Sequence, residues 1–373
     1  MGLSLLVCGD VAPIGVSPLF FQEKGGIIFE VFESLNRQVD FSIVNLEAPV
    51  VELQPTPIKK SGPCLGVAPS TIKILKNVSF NVFTLANNHF FDQGQEGVEN
   101  TINKCREEGI NTVGGECSFQ QARKPLILEK ANKSVAIINA CENEFSIANQ
   151  EHGGCNPLDL INITNDIFSV KDNADYIVVI IHGGIEQYHY PTPRMKRLYH
   201  HFVDLGADVV INHHQHCING YEVYNEKPIF YGLGNFYFPW NGIRPDSWCY
   251  GYAVRLLLDE QIKFELIPYK QTAEAITLRD KAEFEEELVQ YNLPIQSDQL
   301  LQQQFDKYVM DRANVLKTQL LPSFLTGKYF SAMARHGWLG ELYKGKDLYS
   351  IKNKLTCESH YETLKQLFTL LAK

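Results

Sequence analysis

Through its first two-thirds the chain alternates short apolar runs with longer stretches in which apolar residues recur at helical spacing. The segments 3–8 (LSLLVC), 41–45 (FSIVN), 82–85 (VFTL), 135–139 (VAIIN) and 176–181 (YIVVII) have strand length and β-branched or aromatic content. Most are continuous apolar runs, which predicts strands covered on both faces of a sheet. Between them, 93–108 reads as a helix stopped by Gly109, and 192–205 as a helix with Thr192 as N-cap, Pro193 at its first turn and Gly206 as its end. YEVYNEKPIFYGLGNFYF has the pattern of a hairpin turning at 225–227, and YAVRLLLDEQIKFELIPY that of another turning near 259–261. Alternation followed by hairpins predicts an α/β sandwich with mixed sheets.

From about residue 272 the pattern changes. AEAITLRDKAEFEEELVQY, SDQLLQQQFDKYVMDRANVLKTQLLPSF and HYETLKQLFTLLAK read at helical spacing, with an apolar, aromatic stretch, SFLTGKYFSAMARHGW, ahead of the last. The expected division is an α/β domain over 1–271 and a helical C-terminal region over 272–373. A formal charge of −9 with no Lys/Arg-rich run argues against nucleic acid as a partner and gives no general attraction to anionic membranes. MGLSLLVCGDVAP has no basic segment ahead of its apolar run and meets an acid at Asp10, so neither a signal peptide nor a transmembrane segment is expected. The nine cysteines form no CxxC pair, which disfavours a zinc ribbon and predicts buried reduced thiols. Together these predict a cytoplasmic protein.

Candidate chemistry gathers where predicted strands end. Cys8-Gly9-Asp10, Asn45-Leu46-Glu47, Ala86-Asn87-Asn88-His89 with Asp92, His182-Gly183-Gly184 with Glu186, and Asn212-His213-His214-Gln215-His216 each place metal-capable side chains just after a strand. Carboxyl ends of strands are where ligands bind in open α/β sheets. One Asp after a strand is commonly a helix cap, and an Asn-His pair is commonly structural; five such spots on one side of a sheet point instead to a site. Mixed carboxylate, amide and imidazole donors suit one or two divalent ions such as Mn, Fe or Zn. Two imidazoles two residues apart on a strand share a face, so His214 and His216 could enter one cleft; a hydrogen-bonded histidine cluster without metal is the alternative. The set 236–240 (FYFPW) could wall that cleft or simply pack in the core. No GxxxxGK[ST], no GxGxxG after a strand and no GxSxG is present, which disfavours nucleotide-driven ligases, dinucleotide enzymes and serine hydrolases.

The ordered motifs GDVAP, NLEAPV, LANNHFFDQG, HGGIEQY and NHHQHCINGYEVYNEKPIFYGLGNF, over roughly residues 3–240, resemble the bacterial capsule-synthesis family CapA, named for poly-γ-glutamate capsules. That family is in turn similar to the calcineurin-like metallophosphoesterases. The resemblance implies an αββα sandwich with mixed sheets, here followed by a helical C-terminal appendage. It also implies a metal site of Asp10, Glu47, Asn88, His182, His214 and His216, with Glu47 in the bridging position. His89 would protonate the leaving group or stabilise the transition state, Asp92 would orient it or close the pocket, and Glu186 is a general base, a ligand, a substrate contact or simply an exposed glutamate. Three positions depart from the pattern: Ala12 replaces the histidine of Asp-x-His, Gly183 stands where tryptophan is usual, and Asn212 replaces a glycine. The implied function is metal-dependent hydrolysis or transfer in making or tailoring a capsule or other surface polymer. The bond would be a phosphoester or a γ-glutamyl amide, and the partners an anionic polymer or glycan precursor and other capsule-synthesis proteins. A non-catalytic polymer-binding or scaffold component is the alternative, motivated by Ala12.

Overall fold

The computed structural model describes residues 2–60, 62–313, 328–336, 338, 351 and 355. In chain order, β1 (Leu3–Val11), β2 (Phe41–Leu46), β3 (Val82–Thr84) and β4 (Asn111–Val113) begin the first sheet. A small ribbon pairs β5 (Gly115–Glu116) with β8 (Gly154–Cys155). The second sheet is made from β6 (Leu126–Lys130), β7 (Lys133–Cys141), β9 (Tyr176–His182), β10 (Val209–His213), β11 (Tyr221–Tyr224) and β12 (Lys227–Phe230). The chain then returns to the first sheet with β13 (Asn235–Tyr237), β14 (Tyr250–Leu258), β15 (Lys263–Gln271) and β16 (Ile276–Leu278).

The first sheet has the order β16-β15-β14-β1-β2-β3-β4, with β13 also paired to β1. Its β13, β1, β2, β3 and β4 are parallel neighbours, and β14 to β16 add antiparallel strands. The second has the order β11-β12-β10-β9-β7-β6, parallel through its middle and antiparallel at both edges. Both sheets are therefore mixed, as the alternation-then-hairpin pattern predicts.

Strand periodicity explains why three separate apolar cores form. Along β1, Leu3, Leu5 and Val7 face one way and meet Val178, Ile180, Val209 and Ile211 of the second sheet. Leu6 and Cys8 face the other way. There they join residues of α1 (Pro18–Ile28), α2 (Glu30–Asn36), α3 (Ser70–Asn77) and α4 (Gly94–Glu107). Beyond the short α5 (Phe119–Ala122), α6 (Leu160–Val170) and α7 (Pro193–Leu205) pack Ile163, Ile167, Tyr199 and Phe202 on the outer face of the second sheet. The result is helix, sheet, sheet, helix, an αββα sandwich. Every residue of β9 is buried, as its unbroken apolar run predicts. The capping signals of α7 are also in place: Thr192 accepts from the Met195 N–H at 3.2 Å, and Gly206 adopts φ 122°.

The segment 273–291, which reads as helical throughout, is divided. Ile276–Leu278 pairs with β15 as β16, and α8 (Lys281–Ile295) follows. The β-branched pair at 276–277 and the N-capping Asp280, which accepts from the Ala282 and Glu283 N–H groups, place the change there. Phe284 and Leu288 of α8 enter the core between the sheets. Two compact units result, one up to Gln302 and one from Gln303, with α9 (Asp298–Asp311) spanning the division. The second unit's described residues also hold a helix over Lys328–Arg335. HYETLKQLFTLLAK lies outside the described residues. Among those described, no helix is long and apolar enough to cross a membrane.

Candidate metal centre

Because β1, β2 and β3 run parallel in one sheet and β9 and β10 run parallel in the other, all five motif-bearing carboxyl ends emerge on one edge of the sandwich. Asp10, Asn45, Glu47, Asn87, Asn88, His182, His213, His214 and His216 are all buried there. Asp10, Glu47 and His216 present ligand atoms that lie within 4.8 Å of one another. A second grouping shares Glu47. The His182 Nε2 stands 3.1 Å from Asn88 Oδ1, 3.2 Å from His214 Nδ1 and 3.6 Å from Glu47 Oε1. The six residues expected as ligands thus converge.

The backbone brings the last two histidines in by a different route from the one strand periodicity suggests. β10 ends at His213, and His214 and His216 lie beyond it with φ of 94° and 53°. Left-handed backbone at a non-glycine residue costs about 1–3 kcal/mol and is kept only where surrounding contacts over-determine it. Here the contacts are explicit. The His214 N–H reaches Asp10 Oδ2 at 3.4 Å, and the Asn235 carboxamide oxygen accepts from His216 Nδ1 at 2.8 Å. Asn212 braces the turn, its Nδ2 donating to Gly183 O at 2.9 Å and to Gln215 Oε1 at 2.8 Å, while its Oδ1 accepts from Tyr199 at 2.6 Å. With His216 Nδ1 carrying the proton, its Nε2 is left as a lone-pair donor, 3.5 Å from Glu47 Oε1.

Electrostatically the cluster is two buried carboxylates set among neutral imidazoles. Both Glu47 carboxylate oxygens are buried with no hydrogen-bond partner. Burial raises its pKa well above the ordinary carboxylate value, and the neighbouring Asp10 charge adds to this. Asp10 is pushed up to about 7 by burial, against donation from Asn45 at 2.7 Å and from the His214 N–H. Burial holds His182, His214 and His216 below the usual imidazole value, which keeps them neutral and able to bind metal, and pushes His213 down to about 3. Oxygen and imidazole donors around an orphaned carboxylate form the donor set that a borderline divalent ion satisfies.

His89 and Asp92 form a dyad, with His89 Nδ1 2.6 Å from Asp92 Oδ2. Asp92 also accepts from the Leu65 N–H at 2.7 Å. Lys60, which no motif singles out, closes the group: its buried ammonium pairs with Asp92 and lies 3.2 Å from His89 Nδ1. It sits in the polar, proline-bearing stretch PTPIKKSGP between β2 and α3, where nothing in composition distinguishes a buried lysine from a solvated one. Glu186 is exposed, though its charge still acts on Glu47 and His214.

The departures from the motif pattern have visible consequences. Ala12 is buried and brings no ligand; His213 Nδ1, buried without a hydrogen-bond partner, lies 3.6 Å from Asp10 Oδ1. A Cβ on Gly183 would stand 2.5 Å from Glu142 Cγ, so the Glu142 side chain takes the space that a larger residue would need. Glu142 itself accepts from the Gly184 N–H at 2.9 Å and pairs with Arg194. His189 and His200 are packing residues, stacked on Tyr291 and Tyr224.

Comparison with known proteins agrees with the motifs. Residues 4–239 match the family model described as bacterial capsule synthesis protein PGA_cap. The chain belongs to this capsule-synthesis family. Among its relatives, the PGA biosynthesis protein CapA of Bacillus subtilis (strain 168) is 32% identical over 241 residues, 63% of each chain. The capsule biosynthesis protein CapA of Bacillus anthracis is 33% identical over 181 residues, 47% of this chain and 44% of that one. The matches thus span less than two-thirds of either relative's length. Solved structures are more distant. A novel phosphatase from Mycoplasma pneumoniae superposes with a TM-score of 0.48 at 15% identity, over 77% of this chain and 97% of that one. The calcineurin-like phosphoesterase YfkN from Bacillus subtilis gives 0.41 at 12%, over 74% and 88%. Likeness at that level assigns no reaction to this capsule-synthesis family member.

Proposed function

We propose that this protein is a metal-dependent hydrolase or transferase that acts in making or tailoring a capsule or other anionic surface polymer. The observation that carries the reading is the pair of ligand groupings sharing Glu47: Asp10, Glu47 and His216 on one side, and Glu47, Asn88, His182 and His214 on the other. One or two ions of the Mn, Fe or Zn type would be held there, supplying Lewis acidity toward a phosphoryl or carbonyl oxygen and lowering the pKa of bound water. The chain's own contribution is proton management and positioning. Asp92 holds His89 through Nδ1, leaving Nε2 to deliver a proton to a departing oxygen or nitrogen. Lys60 offsets the Asp92 charge and keeps the dyad in one geometry. Glu186, exposed and with its charge acting on Glu47 and His214, would receive a proton or contact substrate.

The family supports a capsule context, with an anionic polymer or glycan precursor as substrate and capsule-synthesis proteins as partners. The free thiols, among them the buried Cys8, Cys105, Cys141, Cys155 and Cys217, fit work in a reducing, cytoplasmic compartment. Ala12 favours one second reading, a non-catalytic polymer-binding or scaffold component, because the Asp10 side of the centre has one donor fewer. Protein loaded with Mn, Zn or Fe should turn over a p-nitrophenyl phosphoester or a γ-glutamyl anilide, and Glu47→Gln and His214→Ala should abolish that turnover. Stoichiometric metal with no turnover of either substrate class supports the scaffold reading, and no bound metal at all removes the basis for the first.

A further inference from the structure

We propose that Arg244 is the anion-binding residue of this centre: a guanidinium seated in the corner formed by two indoles, ready to receive an oxyanion of the substrate, phosphoryl or carboxylate. The inference deepens the hydrolase reading and rests on it for the substrate, while its geometry stands separately.

After β13 the chain loops through residues 238–245 into a single 3₁₀ turn, Asp246–Cys249, before β14. Trp248 anchors this loop. It is 4% exposed, and its Nε1 donates to Phe238 O at 2.7 Å. Its own carbonyl accepts from Asn235 Nδ2 at 3.1 Å and from Gln271 Nε2 at 3.0 Å. Asn235 is also the residue that fixes His216, and the Trp248 ring lies 4.6 Å from the His216 ring. A second tie runs through Gln187, which accepts from Ser247 at 2.7 Å and donates to His216 O at 3.1 Å. The loop is thereby built onto the metal-centre histidine.

Arg244 lies on that support. Its Cζ is 4.1 Å from the Trp240 ring centroid and 4.4 Å from that of Trp248. Its Nε is buried with no hydrogen-bond partner, and among the described residues no acid pairs with it. The other cations around the centre are already committed, Lys60 to Asp92 and Arg194 to Glu142. The two indoles meet each other at 63° with centroids 6.1 Å apart, so both lie to one side of the guanidinium. The side away from them presents N–H donors in a planar fork matched to two oxygens of a phosphate or carboxylate. Holding the fork in advance removes much of the ordering cost of binding. Its charge also acts on His216, adding to the effects that hold that imidazole neutral. The charges of Asp10 and Glu186 already act on Glu47, so an anionic substrate meets repulsion here, and Arg244 is an unpaired cation that opposes it.

The test uses the full chain loaded with Mn. Two of its three tryptophans flank Arg244, so an oxyanion docking there should change indole emission without any turnover. Titration with inorganic phosphate and with glutarate should give a saturable response to at least one, and which one responds identifies the source of the oxyanion. Arg244→Gln should weaken that binding at least about tenfold, the scale of a charge-assisted hydrogen-bond pair. Arg244→Lys, which keeps the charge and loses the fork, should fall between. With a turned-over substrate the loss should fall mainly on KM. A wild-type protein that responds to neither anion overturns the inference, as does unchanged binding in Arg244→Gln at wild-type Tm and metal content. Turnover that needs Glu47 but ignores Arg244 overturns it and leaves the hydrolase reading standing. Arg244-dependent anion binding without any turnover supports it and removes the hydrolase reading instead.

Discussion

Glu47 concentrates the tension of the centre in one side chain, since it is buried, has no hydrogen-bond donor for either oxygen and lies close to Asp10. A group that is costly without a cation should be cheap to neutralise. Glu47→Gln should therefore leave the Tm of the metal-free protein no lower than wild type. It should also erase the metal-induced rise, about 2.7 kcal/mol at about a hundred times Kd. Calorimetric melts with and without Mn check this, and a full metal-induced rise in the variant would remove Glu47 from the ligand set. The pH dependence follows from the same burial. Asp10 in the folded, metal-free chain is raised to about 7, above its unfolded ~3.9. Its contribution to stability is therefore present at low pH and is lost as pH rises through about 7. The histidines act oppositely: with His213 pushed down to about 3, its contribution is present above the unfolded ~6.5 and lost as pH falls toward 3. Metal binding needs Asp10 ionised. Apparent Mn affinity should thus rise with pH, about tenfold per unit below 7 from that proton alone, and Glu47, also raised by burial, adds to the slope. Titrations at about pH 5.5, 6.5 and 7.5 read the slope, and a flat profile would contradict it.

At the scale of elements, the centre depends on how closely β13 approaches β1. A Cβ on Gly9 would lie 1.9 Å from Gly234 O, so only glycine fits where these strands meet. β13 carries Asn235, and through it the orientation of His216. Gly9→Ala should force the strands apart, cost about 1–3 kcal/mol in denaturant unfolding, and weaken metal binding although no ligand is changed. Equal metal affinity at lowered stability would show that the His216 geometry does not pass through this pairing. Local pattern carries information unevenly here. The apolar runs of β1, β2, β3, β7 and β9 and the capping residues of α7 show their elements directly, because burial on both faces and cap chemistry are properties of contiguous residues. Asp10, Glu47 and Asn88 are likewise legible as polar residues that end such runs. Lys60 and Arg244 are not, since each draws its meaning from a partner far along the chain or across a loop: Asp92 for one, two indoles for the other. The left-handed turn at His214 and His216 is equally silent, because tertiary contacts and not propensity hold it.

At the scale of the whole molecule, the open question is how much chain the sandwich needs. The compositional change lies at 271/272, whereas the first compact unit continues to Gln302. The intervening residues do structural work that helical periodicity alone does not reveal. β16 completes the first sheet, and Phe284 and Leu288 of α8 fill the core between the sheets. Lys196 on α7 is buried and directs its ammonium to Ile295 O and Asp298 Oδ1, both at 2.7 Å. Ending the chain at residue 271 removes both of these partners, but Asp298 is exposed and Lys196 gains water when its cover is lost, so the ion pair itself contributes about 1 kcal/mol or less. Uncovering the pockets of two large apolar side chains adds about 1.5–3 kcal/mol for each. Together these reach the lower end of the stability of an ordinary domain, about 5–15 kcal/mol. A chain of residues 1–271 should therefore fail to melt cooperatively and should bind no metal, whereas a chain of residues 1–302 should melt cooperatively and bind metal. Equal Tm values for the two truncations would mean that α8 decorates the sandwich instead of closing it.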